Sequence, residues 1–221
     1  NPATYVISNI GLIGESAFAN CTAMKNLTVN PSVTTIGQYA FQKCSALENV
    51  TIQNNGMIGQ QAFESSSTKN PATYVISNIG LIGESAFANC TAMQNATIQN
   101  NGTIGASAFK NCSKLQKVRL GNQVGDINQR AFYNCVVLDS LALPNSVKAL
   151  GDSVFYNCKD LAFTQLSNTL STIGNAAFDR CNSLPKIFIP KSVSSIGQGV
   201  FRKCSSLSVV GFEDGASPLS L

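Results

Sequence analysis

The feature that most constrains this chain is a phenylalanine that returns every 22 to 24 residues. It occupies nine positions: Phe18, Phe41, Phe63, Phe87, Phe109, Phe132, Phe155, Phe178 and Phe201. A fixed period of this length is typical of a solenoid, in which each repeat contacts only its neighbours. We therefore predict about nine stacked turns in one domain over 1–221, which looks like a segment of a longer protein.

Each phenylalanine lies within a longer motif. A glycine stands four residues before it in eight turns, with Asn128 as the exception, and a cysteine stands three residues after it in eight turns, with Ser66 as the exception. A Leu or Met then precedes alternating apolar residues such as Val50 and Ile52. The alternation predicts one short strand per turn and a parallel sheet along one face. The spacing of Ala, Phe and Cys predicts short helical turns or loops on the other face.

A coarser repeat is superimposed on this pattern. Residues 1–24 recur unchanged as 70–93, an offset of 69 residues or three turns, so that 1–69 and 70–138 are related by duplication. The turn between Phe63 and Phe87 is irregular, because Ser66 replaces the cysteine and the polar run 64–69 replaces the apolar approach to the strand. We expect a loop to bulge at this seam.

The motif resembles a known family. Residues 189–197 read I-P-K-S-V-S-S-I-G, and together with the recurring A-F-x-x-C-x-x-L they are similar to the BspA-like leucine-rich repeats. The resemblance covers nearly the whole chain and implies an α/β leucine-rich-repeat solenoid. It also implies a surface or secreted protein of bacteria or protists that takes part in adhesion. The family has no catalytic residues to transfer.

Composition argues against an enzyme. Histidine and tryptophan are absent, so the most common proton shuttle and metal ligand is missing. No glycine-rich phosphate loop occurs, and the acids are spread without pairing, at Asp126, Asp139, Asp152, Asp160 and Asp179. We expect no catalytic activity, cofactor or metal.

Charge and hydropathy limit the class of partner. The net charge is +4, and the twelve basic and seven acidic residues after position 105 form no concentrated stripe, so we expect no nucleic-acid binding. No apolar run reaches the 18 residues that a membrane span needs, and we expect no direct membrane insertion in this segment.

The eight cysteines each occupy the same apolar position of the repeat. This spacing favours a buried ladder of thiols, since a free cysteine behaves as a small hydrophobic residue. Disulfides between neighbouring turns and a metal site are the alternatives, although the sequence holds no C-x-x-C pair and no histidine.

Seven asparagines begin N-x-S/T triplets: Asn20, Asn26, Asn49, Asn89, Asn95, Asn101 and Asn111. The repeat itself tends to contain Asn-Cys-Thr, so chance and bias of the repeat are the favoured explanation, and glycosylation is the alternative. If the source is a eukaryote, Asn26, Asn49 and Asn95 are the candidate N-glycosylation sites on the outward side of the strands, and glycans there would cover the sheet.

The outward strand positions differ between the two halves. In the first half they carry small polar residues such as Asn49 and Thr51, whereas the second half carries basic and aromatic residues. Exposed phenylalanine beside lysine and arginine is typical of a protein-binding patch. The candidate partner-binding residues are Lys117, Arg119, Phe163, Gln165, Lys186 and Phe188. A missing flank that covers this face, or a one-residue register error at Phe163, are the alternatives.

These observations lead to two functional hypotheses. The first is a cell-surface or secreted adhesion or recognition module that binds a protein or glycan, from a host or a neighbouring cell, through the strand face. The second is a structural protein that self-assembles end to end or edge to edge into a fibre or surface layer, because a solenoid without caps has unpaired edge strands. A cytoplasmic scaffold is the alternative to an extracellular location, since reduced thiols suit that compartment.

Overall fold

The computed structural model describes residues 4–53, 56–99 and 101–213. These ranges contain eighteen strands and no helix. In chain order the strands are β1 (Thr4–Ile7), β2 (Leu12–Ile13), β3 (Asn26–Val29), β4 (Thr35–Ile36), β5 (Asn49–Ile52), β6 (Met57–Ile58), β7 (Ala72–Ser77), β8 (Leu81–Ile82), β9 (Met93–Gln99), β10 (Thr103–Ile104), β11 (Lys117–Leu120), β12 (Ser140–Ala142), β13 (Ala149–Leu150), β14 (Phe163–Gln165), β15 (Thr172–Ile173), β16 (Lys186–Ile189), β17 (Ser195–Ile196) and β18 (Val209–Phe212).

The main sheet is parallel and has eight strands in the order β1-β3-β5-β7-β9-β11-β12-β14, while β16 and β18 form a separate parallel pair. Residues pair with their equivalents one turn away, for example Leu27 with Val50. Along each strand the apolar side chains alternate inward, and Leu27, Val29, Val50 and Ile52 are buried. The sheet predicted from the alternation is confirmed.

A second, narrow sheet is built from the two-residue strands that precede the glycines. Five of them join in the order β10-β8-β6-β4-β2, and β13, β15 and β17 form a further group. Isolated bridges from Ile127 to Ile104 and to Leu150 connect the two groups. One apolar residue per turn therefore holds this side together along the whole rod.

The remaining side of each turn carries the Gly-x-x-Ala-Phe-x-x-Cys segment, and the helical turns predicted there are wrong. Two residues per turn have positive φ, such as Ser107 at 56° and Asn111 at 60°, and this left-handed conformation interrupts an α-helix. Backbone N–H groups alternate between an i−3 carbonyl and a carbonyl of the next turn; the N–H of Phe109, for example, donates to the Ala131 oxygen at 2.7 Å. The segment is thus a series of tight turns that is hydrogen-bonded to the equivalent segment of the adjacent repeats.

The core lies between these sides, and its centre is a column of stacked phenylalanine rings. Neighbouring ring centroids are 4.9 to 5.8 Å apart from Phe18 to Phe201. The seven inner rings have no solvent exposure. Because identical rings stack at the repeat distance, the aromatic ladder sets both the spacing and the register of the turns.

The seam of the duplication does not bulge outward as the sequence suggested. Ser66 and Ser67 are fully buried, and both hydroxyls lie within hydrogen-bonding distance of the Tyr74 hydroxyl, at 2.9 and 2.8 Å. Next to this seam the pairing of β7 with β9 shifts register, since Ala72 pairs with Met93 and Thr73 with Asn95, which makes Gln94 the extra residue of a β-bulge on β9. Tyr74 fills the interior of this turn, and the two serines satisfy its hydroxyl group.

Candidate binding face

The outward face of the main sheet carries the predicted binding residues in two columns. Pairing places Lys117 beside Ser140 and Ser140 beside Phe163 in one column, and Ala142 beside Gln165 in the other. Lys186 and Phe188 continue the face on β16, which is not paired to β14. The structure thus brings five of the six side chains to one face of the rod, while the side chain of Phe163 lies outside the described residues.

The register of β14 settles one alternative. Thr164 pairs with Leu141 and is buried, with 8% exposure. Gln165 therefore occupies an outward position of the strand, because successive residues alternate between faces. The register in this turn agrees with the sequence prediction.

Phe188 is the most exposed aromatic residue among the described residues, with 54% exposure. Gly211 lies beside it on β18, and a Cβ atom built on Gly211 would stand 2.5 Å from Cδ1 of the Phe188 ring. The absence of a side chain at Gly211 gives the ring room to lie across the next strand. Phe188 thus presents a flat apolar surface to solvent, next to the exposed Lys186.

The electrostatic character of this half of the face is basic. Its eight outward strand positions hold Lys117, Arg119 and Lys186 and no carboxylate. Lys117, Arg119 and Lys186 are exposed to solvent. An anionic surface is therefore the complementary one.

The first half of the same face is a polar lattice. The Asn49 Nδ2 donates to Asn26 Oδ1 at 2.7 Å, the Asn26 Nδ2 donates to Thr4 Oγ1 at 3.2 Å, and the Asn95 Nδ2 donates to Thr73 Oγ1 at 3.4 Å. Asn49 is exposed, and Asn26 and Asn95 are half-buried. A glycan on any of the three would replace a hydrogen bond within the lattice.

Other asparagines of the N-x-S/T triplets lie elsewhere. Asn89 and Asn111 have left-handed backbones in the turn segment, as does Asn20. The amides of Asn89 and Asn111 form part of a second ladder, in which Asn111 donates to Asn89, Asn134 to Asn111 and Asn157 to Asn134, at 2.9, 3.1 and 2.5 Å. Asparagine is suited to these positions because it tolerates positive φ and its amide pairs with its own kind.

The cysteines form an internal ladder and no disulfide. Seven thiols donate to the carbonyl oxygen of the phenylalanine one turn earlier, over 3.0 to 3.2 Å. Burial raises the pKa of the Cys44 and Cys135 thiols to about 12, and it raises the pKa of Cys158 and Cys181 well above the usual value. These four thiols are therefore protonated hydrogen-bond donors within the core and poor nucleophiles.

Sequence reasoning missed a cluster on the turn segment. The rings of Tyr133 and Tyr156 stack 4.6 Å apart, with Lys110 over the first ring and Arg180 over the second, at 5.8 and 5.6 Å. The signal was present, since both tyrosines directly follow a core phenylalanine. The stack fastens neighbouring turns on the side opposite the candidate face.

No group of three or more potential metal ligands lies together in the described parts of the chain. Within the same ranges, none of the secondary structure could serve as a membrane-crossing helix.

Comparison with known proteins gives the family and the fold. The chain is similar to the leucine rich repeat protein TpLRR of T. pallidum, with a TM-score of 0.53 and 22% identity over 91% of this chain and 75% of that one. A leucine rich cell surface protein of Faecalibacterium prausnitzii has a TM-score of 0.49 and 19% identity over 96% of this chain and 86% of the other, and a leucine-rich repeat protein of Bacteroides ovatus has 0.47 and 22% over 95% and 72%. No curated protein sequence matches.

The sequence profile of the BspA type leucine rich repeat region matches residues 5–113 and 80–208, with six copies of the repeat. These ranges include the phenylalanine, cysteine and glycine ladders described above. The chain therefore belongs to the BspA-type leucine-rich-repeat family.

Proposed function

We propose that this chain is the recognition module of a cell-surface or secreted protein and that it binds an acidic protein partner through the second half of its strand face. The observation that carries the proposal is Phe188, an aromatic ring with 54% exposure that lies on the same strand as Lys186, on a face that also carries Lys117 and Arg119 on β11. An exposed aromatic ring contributes nothing to this core but is the type of residue that dominates binding energy at protein interfaces. The surface location rests on family membership.

The architecture favours recognition over catalysis. Each turn buries its own core residues and leaves its outward positions free, so the face can vary from turn to turn without a change in fold. Lysine and arginine on the rim would speed association with an acidic surface, and the ring of Phe188 would supply the desolvated centre.

A selection experiment tests the proposal. Random twelve-residue peptides displayed on phage are selected on the wild type, and the enriched clones are tested against a Lys186→Glu, Phe188→Ser double variant and a Thr28→Ser, Thr51→Ser control on the polar half of the face. We expect acidic clones with an apolar residue that bind the control and lose at least about tenfold in affinity on the double variant, since one interface anchor contributes about 1.4 kcal/mol or more. Equal binding to both variants would refute the assignment.

Self-assembly is the second candidate, and exposed edge residues favour it. Val6 on β1 is 62% exposed, and Val209 and Phe212 on β18 are 46% and 51% exposed. If β1 and β18 are also the outer strands of the full-length protein, their exposed apolar residues are templates for pairing with another chain. Light scattering after size exclusion over a hundredfold range of concentration separates the two functions: a mass that grows with concentration supports assembly, and a constant monomer mass supports recognition of a foreign partner.

A further inference from the structure

The main sheet is interrupted at one place among the described residues, between β14 and β16. β14 pairs with β12 on one side, and β16 pairs with β18 on the other. The narrow sheet stays continuous across the same turns, with Thr172 paired to Ser195 and Ile173 to Ile196. The two turns are therefore joined by strand pairing in the narrow sheet, and they lack strand pairing in the main sheet.

Proline at position 185 explains the opening. In other turns the residue after the conserved Leu or Met donates its backbone N–H to the equivalent carbonyl of the previous turn: Gln116 donates to Gln94 at 2.9 Å, and Ala162 donates to Asp139, also at 2.9 Å. Pro185 has no N–H, so the carbonyl of Ala162 loses this donor. The ladder resumes one turn later, where Ser208 donates to the Pro185 oxygen at 2.9 Å.

A buried hydroxyl stands at the same opening. The position that holds Leu141 in one turn and Ile187 in another is Thr164 in the turn between them. The Thr164 Oγ1 is buried and has no hydrogen-bond partner. An unsatisfied buried hydroxyl lowers stability unless a bound group reaches it, and this residue lines the opening.

The opening forms a groove with a volume of about 520 Å³. Its walls include Thr164, Gln165 and Leu166 from one turn and Lys186, Ile187 and Phe188 from the next. Glu213 lies at one end, where its carboxylate accepts a hydrogen bond from the Lys191 amide at 3.4 Å. The size is within the range of about 300 to 1,000 Å³ that is typical of ligand sites.

We propose that this groove is the anchor site for an extended acidic peptide segment of the protein partner, which lies over the opening, inserts one apolar side chain beside Phe188 and hydrogen-bonds to the Ala162 carbonyl and the Thr164 hydroxyl. This inference rests on the proposed function and names the chemistry of its partner. A carbonyl that lacks its ladder donor can accept a hydrogen bond from a main-chain N–H of the peptide.

Charge selects the acidic peptide. Lys186 forms part of the groove wall, and Lys117 and Arg119 lie on the same face on β11, two strands from β14. Glu213 is the acidic residue of the groove lining, and its carboxylate accepts a hydrogen bond from the backbone N–H of Lys191. Carboxylates of a bound segment are thus expected over Lys186 and toward β11, with the apolar side chain in the groove.

The experiment is an NMR titration of the 15N-labelled chain with the pentapeptide acetyl-Asp-Phe-Val-Asp-Glu-amide. The amide signals of Lys186 and Phe188 are expected to shift most. Pro185→Gln restores the residue type of the equivalent Gln116, so we expect it to close the ladder, raise the melting temperature and weaken binding at least about tenfold. Thr164→Val removes the unsatisfied hydroxyl, so we expect a higher melting temperature and binding weaker by about three- to tenfold, as for one lost hydrogen bond.

The outcomes separate the groove from the wider face. If the peptide shifts signals on the face and Pro185→Gln binds it as tightly as the wild type does, the groove is refuted and the proposed function stands. If a Lys117→Glu, Arg119→Glu variant binds normally while Pro185→Gln does not, the groove is supported and the broader face is not. Absence of shifts at Lys186 and Phe188 at millimolar peptide overturns the groove proposal, and an N-methylated peptide of the same sequence that binds equally well does so too.

Discussion

Replacement of one inner and one outer phenylalanine by leucine tests whether ring stacking holds the rod together. Phe132 is fully buried, and its ring lies 5.3 Å from Phe109 and 5.7 Å from Phe155. Phe201 is only partly buried and has one ring neighbour among the described residues, Phe178 at 5.8 Å. Leucine keeps most of the buried apolar surface of the side chain but cannot stack on the neighbouring rings.

The expected magnitudes follow from the number of ring contacts. An aromatic pair contributes about 0.5–1.5 kcal/mol beyond burial, so Phe132→Leu should cost about 1–3 kcal/mol and Phe201→Leu about half as much. Urea unfolding followed by far-UV circular dichroism measures both, since the chain has no tryptophan to report by fluorescence. Equal losses at the two positions, with unchanged m-values, would refute the idea that stacking between turns sets the stability.

Three other predictions concern the ladders along the rod. Cys135→Ala removes a 3.2 Å bond to a carbonyl of the preceding turn and should lower the free energy of unfolding by about 1–3 kcal/mol in urea titrations. Gly105→Ala should lower the melting temperature, because its Cβ would meet a carbonyl oxygen at 2.4 Å, whereas Gly14→Ala should leave it unchanged, because its Cβ would meet nothing within 4 Å. Since burial raises the pKa of Cys44 and Cys135 from 9.0 to about 12, the folded chain retains protons that the unfolded chain loses, and stability should fall as the pH rises from about 9 toward 12. The expected loss is about 1.4 kcal/mol per thiol at pH 10, and the urea midpoint of Cys135→Ala should fall less between pH 8 and 10 than that of the wild type.

The register of the repeat could be predicted from the sequence because the motif around the phenylalanine recurs nine times. The phenylalanine and cysteine positions are core positions in every turn, and one-residue errors would move an entire strand to the wrong face. Conformation of the turn segment could not be predicted in the same way. Ala, Phe and Cys have helix-like spacing, but residues such as Ser107 and Arg130 adopt positive φ. Serine and arginine in a sequence do not indicate this conformation.

Departures from the repeat were the least predictable part. Ser66 suggested an exposed loop, yet the interior accepts two serines because Tyr74 brings a hydroxyl to meet them. Thr164 and Pro185 are visible as exceptions in the printed sequence, but each is tolerable alone in a strand. Their joint effect depends on the fact that consecutive turns place them at the same opening, which a single turn cannot show.

The direction of the backbone hydrogen bonds has a mechanical consequence for a protein that connects two surfaces. Bonds such as the one from the Phe41 N–H to the Ala62 oxygen join one turn to the next, so they run along the axis of the rod. Tension applied to the two ends loads the turns in series, and an end turn can peel away while the rest stays folded. Each turn of about 23 residues would release up to about 80 Å of chain. Pulling single molecules should therefore give many small steps of extension, and an attachment built on this fold would yield gradually under strain before it broke.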